Sequence, residues 1–314
     1  MQKQRFSLRI AYFCYGGNGG ISSLHPDVME WMLLTVPGLK SDSRLHQVSV
    51  RRYSDTPITM TRNAAVVDAK QDGCDFILMI DSDMAPDLLL SKDAAAKPFM
   101  QVALAKLCDD YNKCLAGSMV AAPYCGPPPF ENIYVFLWRG QQSESPDQGF
   151  SLEQFTREEA MQRTGLERVA ALPTGLFMAD LRLYDLIAPV EETDSPYHYY
   201  EWRDKFATHK NSTEDVTVTR DISMACLQKH GYNPVHCAWD CWAGHWKPKC
   251  VGKPTALTAS DVSAKFVRAA RNGLPKGKAI AIADFDIGGA WPDTTPEENF
   301  LDHTGPIPHS VQAD

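Results

Sequence analysis

The chain has 314 residues, 44% of them hydrophobic, and a formal net charge of −8. That length supports one large α/β domain or two modest ones, and the acidic balance gives no global attraction to nucleic acid or to an anionic membrane surface. Nine cysteines, an odd number scattered along the chain, do not form the pattern of a secreted disulfide framework.

No apolar run approaches a membrane span, and Met1–Arg9 carries charges without a signal-peptide core, so the sequence predicts a soluble, cytoplasmic protein. Ser7–Tyr15 reads as a first buried strand. It runs into Gly16-Gly17-Asn18-Gly19-Gly20, a loop in which backbone can approach a ligand closely. The spacing is not that of a P-loop, and no Lys-Ser/Thr pair follows. Asp27–Leu34 predicts a short helix, Gln47–Tyr53 a second strand, and Thr59–Asp72 a helix stopped by Gly73. Arg62 lies in the first turn of that helix. A helix amino-terminus favours phosphate and a guanidinium adds a two-armed donor, although a lone arginine is more often a solvated surface residue.

Phe76–Ile80 is a continuous apolar run of the length of a strand buried on both faces. It stops at Asp81-Ser82-Asp83, and Pro86 predicts that no strand continues beyond. In an open α/β sheet ligands bind beyond the carboxyl ends of the strands. Alternate residues of an extended segment share a face, so Asp81 and Asp83 can reach one hard cation or one ribose-phosphate group. The plainer reading is a polar strand end with turn-forming aspartates.

Leu88–Lys113 reads as largely helical with a break near Pro98, and Ser118–Ala122 as a short strand. Gly126–Pro129 is a stiff turn, Ile133–Trp138 a strand, Gly140–Gly149 a polar loop and Leu152–Arg163 a helix. Thr174–Ala179 predicts a strand that begins at a tight turn, and Asp180–Ile187 a short helix. The cluster Tyr197–Trp202 offers aromatic faces that stack on sugars or bases, or that simply pack down their own loop. Ser212-Thr213-Glu214-Asp215 has the spacing of a capping box and opens a helix to His230, stopped by Gly231. Asn233–Trp239 is a further strand, leading to Trp242-Ala243-Gly244-His245; beyond Val251 lie a helical Val262–Arg271 and a Pro/Gly-rich acidic tail.

The order of these motifs resembles that of a GT-A-fold glycosyltransferase of the broad family-2-like group that uses nucleotide sugars. The motifs that carry it are the glycine loop, Thr61-Arg62-Asn63, Asp81-Ser82-Asp83, Thr174-Gly175, Glu214-Asp215, Gly231-Tyr232 and Gly244-His245. The resemblance implies a mixed, mostly parallel Rossmann-like α/β sheet flanked by helices over residues 1–250. Its nucleotide-sugar half spans about 1–125 and its acceptor half about 126–250, followed by a carboxyl-terminal extension, 251–314. It further implies transfer of a hexose from a nucleoside diphosphate sugar, with UDP expected as the nucleotide. Asp83, Asp81 and His245 would hold Mn²⁺ or Mg²⁺; Tyr12, Phe13, Arg62, Asp81 and Ser82 would border the donor. Asp215 would be the catalytic base of an inverting reaction, with Glu214 orienting the acceptor, and Thr174, Gly175, Trp202 and Trp242 would line the acceptor site. The acceptor itself stays open among saccharides, lipid-linked sugars, proteins and a hydroxymethylated DNA base of the kind modified by phage enzymes. The family's acidic residue at the end of the second strand has no clear counterpart near Asp55.

Two rival readings use the same residues. A nucleotidyltransferase shares the sheet, the aspartates and the metal, but normally has basic residues in its glycine loop, and Gly16–Gly20 has none. A zinc-binding module would use Cys237, Cys241, His245 and Cys250, whose spacing is close to that of a zinc knuckle but not equal to it.

Overall fold

The computed structural model describes residues 4–14, 24–54, 58–91, 95–126, 131–139, 151–187, 199, 214–246 and 250–251. Strand β1 (Phe6–Phe13) is followed by helix α1 (Pro26–Lys40), β2 (Leu45–Tyr53), α2 (Ile58–Gln71) and β3 (Phe76–Asp81). Next come β4 (Met84–Leu90), α3 (Phe99–Tyr111), β5 (Met119–Ala121), β6 (Phe136–Arg139), β7 (Ser151–Gln154), α4 (Arg157–Met161) and β8 (Leu166–Arg168). The described chain closes with β9 (Leu176–Asp180), a 3₁₀ turn (Leu181–Leu186), α5 (Glu214–His230), β10 (Val235–Ala238), β11 (Cys241–Trp246) and β12 (Cys250–Val251). All of these elements belong to one unit, Met1–Pro127 with Asn132–Pro254.

Seven strands form the central sheet in the order β2-β1-β3-β9-β5-β10-β8. β1 runs parallel to β2 and β3, and β5 parallel to β10, while β9 and β8 are antiparallel to their neighbours. The fold is therefore a mixed, mostly parallel Rossmann-like α/β sheet. Its central strands are apolar on both faces, as a sheet covered by helices on both sides requires. Along β3, Phe76, Leu78 and Ile80 pack with Val28 and Trp31 of α1 and Leu104 of α3. The alternate residues Ile77 and Met79 pack with Ala65 and Val66 of α2 and Val218 and Ile222 of α5. No helix among the described residues is long and apolar enough to cross a membrane.

The structure departs from the sequence reading most clearly after Asp83. Residues 84–90 form a strand in place of the expected helix start, and Pro86 lies inside it. The small sheet has the order β12-β11-β4, so β4 is at its edge, where a proline removes no ladder hydrogen bond. The β4–β11 register shifts between Trp242 and Gly244, and Asp87 takes a φ of 58°. This irregularity aims the Asp87 carboxylate at the backbone N–H of Phe99, the first residue of α3, and at the indole N–H of Trp31, both at 2.7 Å. Asp87 is thus a cap and a clamp. Residues 151–154 also form a strand rather than helix, so that only Arg157–Met161 of the expected Leu152–Arg163 segment is α-helical. The expected Val262–Arg271 helix lies outside the described residues.

Candidate active site

The carboxyl end of β3 is where side chains from α2, β4, β11 and α5 meet. Arg62 on α2 is buried, 2% exposed. Its Nη1 donates to Glu214 Oε1 at 2.6 Å, and its Nη2 donates to both oxygens of Asp81 at 2.9 Å. The guanidinium carbon stands 5.8 Å from the centroid of the Phe13 ring. An arginine this deep is sustained by its two carboxylate partners, which accept from Nη1 and Nη2 and balance its charge. Arg62 therefore ties α2 and the first turn of α5 to the end of β3, rather than standing at an open phosphate-binding surface. Burial raises the carboxyl pKa of Asp81; Arg62 opposes the rise, and the negative charges of Asp83 and Asp215 add to it. Glu214 is pushed up in the same way, by burial first and by Asp215 beside it, against the pull of Arg62.

Two residues beyond Asp81, the carboxylate of Asp83 meets an imidazole brought from far along the chain. In the β4–β11 ladder His245 stands opposite Met84, which puts His245 Nε2 3.2 Å from Asp83 Oδ2. The backbone N–H of Trp246 donates to Asp83 O at 2.6 Å and fixes the crossing. His245 Nδ1 is buried and has no hydrogen-bond partner among the described residues. The rim is aromatic: the rings of His25 and Trp246 stack at 4.5 Å, and the Trp246 indole N–H donates to Asp27 Oδ2 at 2.8 Å. Ser82 contributes its carbonyl, which accepts from the His25 N–H at 2.9 Å.

A residue absent from the sequence reading sits in the middle of this arrangement. Tyr124 is 6% exposed, with its ring edge-on to His245 at 4.9 Å and 5.7 Å from the ring of Tyr134. Burial, then the charges of Asp215 and Asp81, push its phenol well above the ordinary tyrosine range, so it stays protonated. Its hydroxyl lies so close to Gly175 that a Cβ there would be 2.8 Å away, and Met84 Sδ would be at 3.0 Å. Only glycine fits. The Gly175 carbonyl in turn accepts from the Asp81 N–H at 2.8 Å, which seats the end of β3. A lone tyrosine after Pro123 carries no signal in the sequence; the Thr174-Gly175 turn that makes room for it was the visible half of the pair.

The remaining expected residues divide. Asp215 is half-buried in the first turn of α5, its Oδ1 accepting from the Val216 N–H at 2.8 Å. Glu214, expected beside the acceptor, is instead the buried counter-ion of Arg62. Phe13 is fully buried beneath Arg62, whereas Tyr12 is half-buried on the other face of the sheet. Thr174 is fully buried, and Trp242 is 1% exposed against Trp239, ring centroids 5.9 Å apart. Neither can present itself to an acceptor in this arrangement, because both belong to the core. Trp202 and the Gly16–Gly20 loop lie outside the described residues.

Among the described residues no group of three His, Cys, Asp or Glu side chains is arranged to hold a metal. At the aspartate site both Asp81 oxygens face Arg62. For the zinc reading, Cys237 is buried in β10 of the large sheet, and the Cys241 thiol donates to the Lys97 carbonyl at 3.4 Å. Burial raises the Cys237 thiol well above its ordinary value and the Cys241 thiol to about 12.

No protein-family model matches this chain, and no curated protein matches it in sequence. Among solved structures it is similar to A197 from STIV, with a TM-score of 0.40 and 10% identity over 80% of this chain and 96% of that one. It is also similar to a putative glucose-1-phosphate thymidylyltransferase from Bacillus anthracis, determined in complex with a sucrose, with a TM-score of 0.35 and 10% identity over 86% and 98% of the two chains. Likenesses this distant assign no activity to this chain.

Proposed function

We propose that the protein is a metal-dependent glycosyltransferase that moves a hexose from a nucleoside diphosphate sugar, UDP by resemblance, to an acceptor hydroxyl. The observation that carries this reading is the Asp83–His245 pair at 3.2 Å, formed across β4 and β11 beside Asp81 and the first turn of α5. The donor chemistry fits a divalent cation. A carboxylate oxygen and an imidazole nitrogen already face each other, Nδ1 of that imidazole is buried without a partner among the described residues, and Asp81 feels the like charges of Asp83 and Asp215. Such a mixed O/N pair suits Mn²⁺ better than Mg²⁺, and water and substrate phosphates commonly complete such a shell. Asp83 and His245 would hold the ion, with Asp81 as the reserve ligand. When bound, the cation supplies neutralisation of the departing diphosphate.

The chain's own groups do the rest. Tyr124 packs edge-on to His245 and keeps its ring in place. Asp215 is half-buried in the first turn of α5 and accepts the proton of the acceptor hydroxyl as the sugar arrives. Arg62 fixes the spacing of Asp81 and Glu214 from behind. The acceptor class, including a modified DNA base, is left open by this reading.

The test is calorimetric binding of UDP, GDP, CDP and ADP with and without Mn²⁺. One diphosphate should bind only with Mn²⁺, and both Asp83→Ala and His245→Ala should abolish that binding. Pyrophosphate release from a nucleoside triphosphate and a sugar phosphate would replace the reading with nucleotidyl transfer.

A further inference from the structure

We infer that Arg62 is a positioning residue that restrains Asp81, and that Glu214 sets how tightly it does so, which tunes the affinity of the site for a divalent cation. The inference rests on the cation reading above. Both Asp81 oxygens accept from one nitrogen, Nη2 of Arg62. To lend an oxygen to an ion held by Asp83 and His245, Asp81 must either share an oxygen that Arg62 already holds or turn away from it, and the guanidinium charge opposes the ion in both cases. A buried guanidinium cannot release a carboxylate without keeping another counter-charge. Glu214 is that second charge, 6% exposed and held on Nη1 at 2.6 Å. With Glu214 ionised, Arg62 keeps a partner while Asp81 turns. With Glu214 neutral, more of the Arg62 charge falls on Asp81 and holds it away from the ion. This assigns Glu214 to the control of the cation site rather than to the acceptor.

The experiment is Mn²⁺ titration without nucleotide, by calorimetry or by loss of the free-ion electron-spin-resonance signal. It compares the full chain with Glu214→Gln, Arg62→Gln, the double variant and Arg62→Lys, each checked by circular dichroism. Glu214→Gln should weaken Mn²⁺ binding about tenfold and Arg62→Gln should tighten it by a similar factor, since each changes one nearby unit charge and the hold on Asp81. In the Arg62→Gln background the Glu214→Gln change should then shift the dissociation constant by less than about twofold, because there is no guanidinium left to redirect. Arg62→Lys keeps the charge but loses the two-armed fork, so it should tighten Mn²⁺ binding measurably. Additive single effects, or an Arg62→Lys affinity equal to that of the unaltered chain, would reduce the effect to simple charge and overturn the inference alone. Failure of the unaltered chain to bind Mn²⁺ would overturn the cation reading and this inference with it. Arg62→Lys keeps the test decisive should Arg62→Gln not fold, since it leaves both carboxylates a buried counter-charge.

Discussion

Replacing His236 by asparagine should flatten the acid limb of the protein's stability curve. His236 lies in β10 between β5 and β8, 5% exposed, with Nδ1 2.9 Å from the Pro234 carbonyl. Burial, then the positive charge of Lys106, lowers its pKa from 6.5 to about 4 in the folded protein. The folded state therefore holds the neutral ring while the unfolded chain takes up a proton near pH 6.5. Stability contributed by the neutral ring is complete above pH 6.5 and is lost as the pH falls toward 4. At 1.36 kcal/mol per pH unit the full loss is about 3 kcal/mol, and by pH 5.5 it is already about 1.4 kcal/mol. Asparagine does not titrate and can still donate an amide N–H to the Pro234 carbonyl. Urea denaturation at pH 7 and pH 5.5 isolates the effect, since the other histidines are common to both proteins. Equal losses in the two proteins between those pH values would refute the assignment of a neutral, buried His236.

Gly175→Ala should destabilise the fold by about 1–3 kcal/mol, as overpacking a closed site does. It should also weaken diphosphate binding, because the Tyr124 ring displaced from the new Cβ is packed on His245. Gly38→Ala, in α1 with nothing within 4 Å of the new Cβ, is the control and should be neutral or stabilising in the same denaturation assay. Asp215→Asn should keep Mn²⁺-dependent diphosphate binding while lowering the rate of transfer about 10²–10⁴-fold, the usual contribution of a general base. A transfer rate within about threefold of the unaltered enzyme would remove Asp215 from that role.

The large sheet was legible because its strands announce themselves twice, by β-forming residues and by abrupt stops. β3, Phe76–Asp81, exceeds the expected Phe76–Ile80 by one residue, and Thr59–Asp72 differs from α2 by one residue at each end. β4 was not legible. Leu88-Leu89-Leu90 continues an apolar run in either period, and Pro86 argues against a strand until the strand is known to be an edge. At the site, the sequence identified the carboxylates and the imidazole by chemical type, and the fold brings Asp83 to His245. It could not show where each side chain turns. Arg62 and Glu214 look like surface residues at helix starts, and only the three-dimensional arrangement reveals that they neutralise each other in the interior. Trp242 misled for the converse reason: an aromatic next to a motif looks available for stacking until its burial against Trp239 is seen.

The ladder that joins β4 to β11 also sets when this site can exist. Asp83 and His245 are 162 residues apart in sequence, and the strand that carries the imidazole is among the last described elements of the chain. During synthesis β1, α1, β2, α2 and β3 leave the ribosome well before β11, and domains assemble as their pieces become available. The growing polypeptide thus presents its aspartates while 162 further residues are added before the imidazole that pairs with Asp83 exists. At about 5–20 residues per second, that interval lasts on the order of ten seconds.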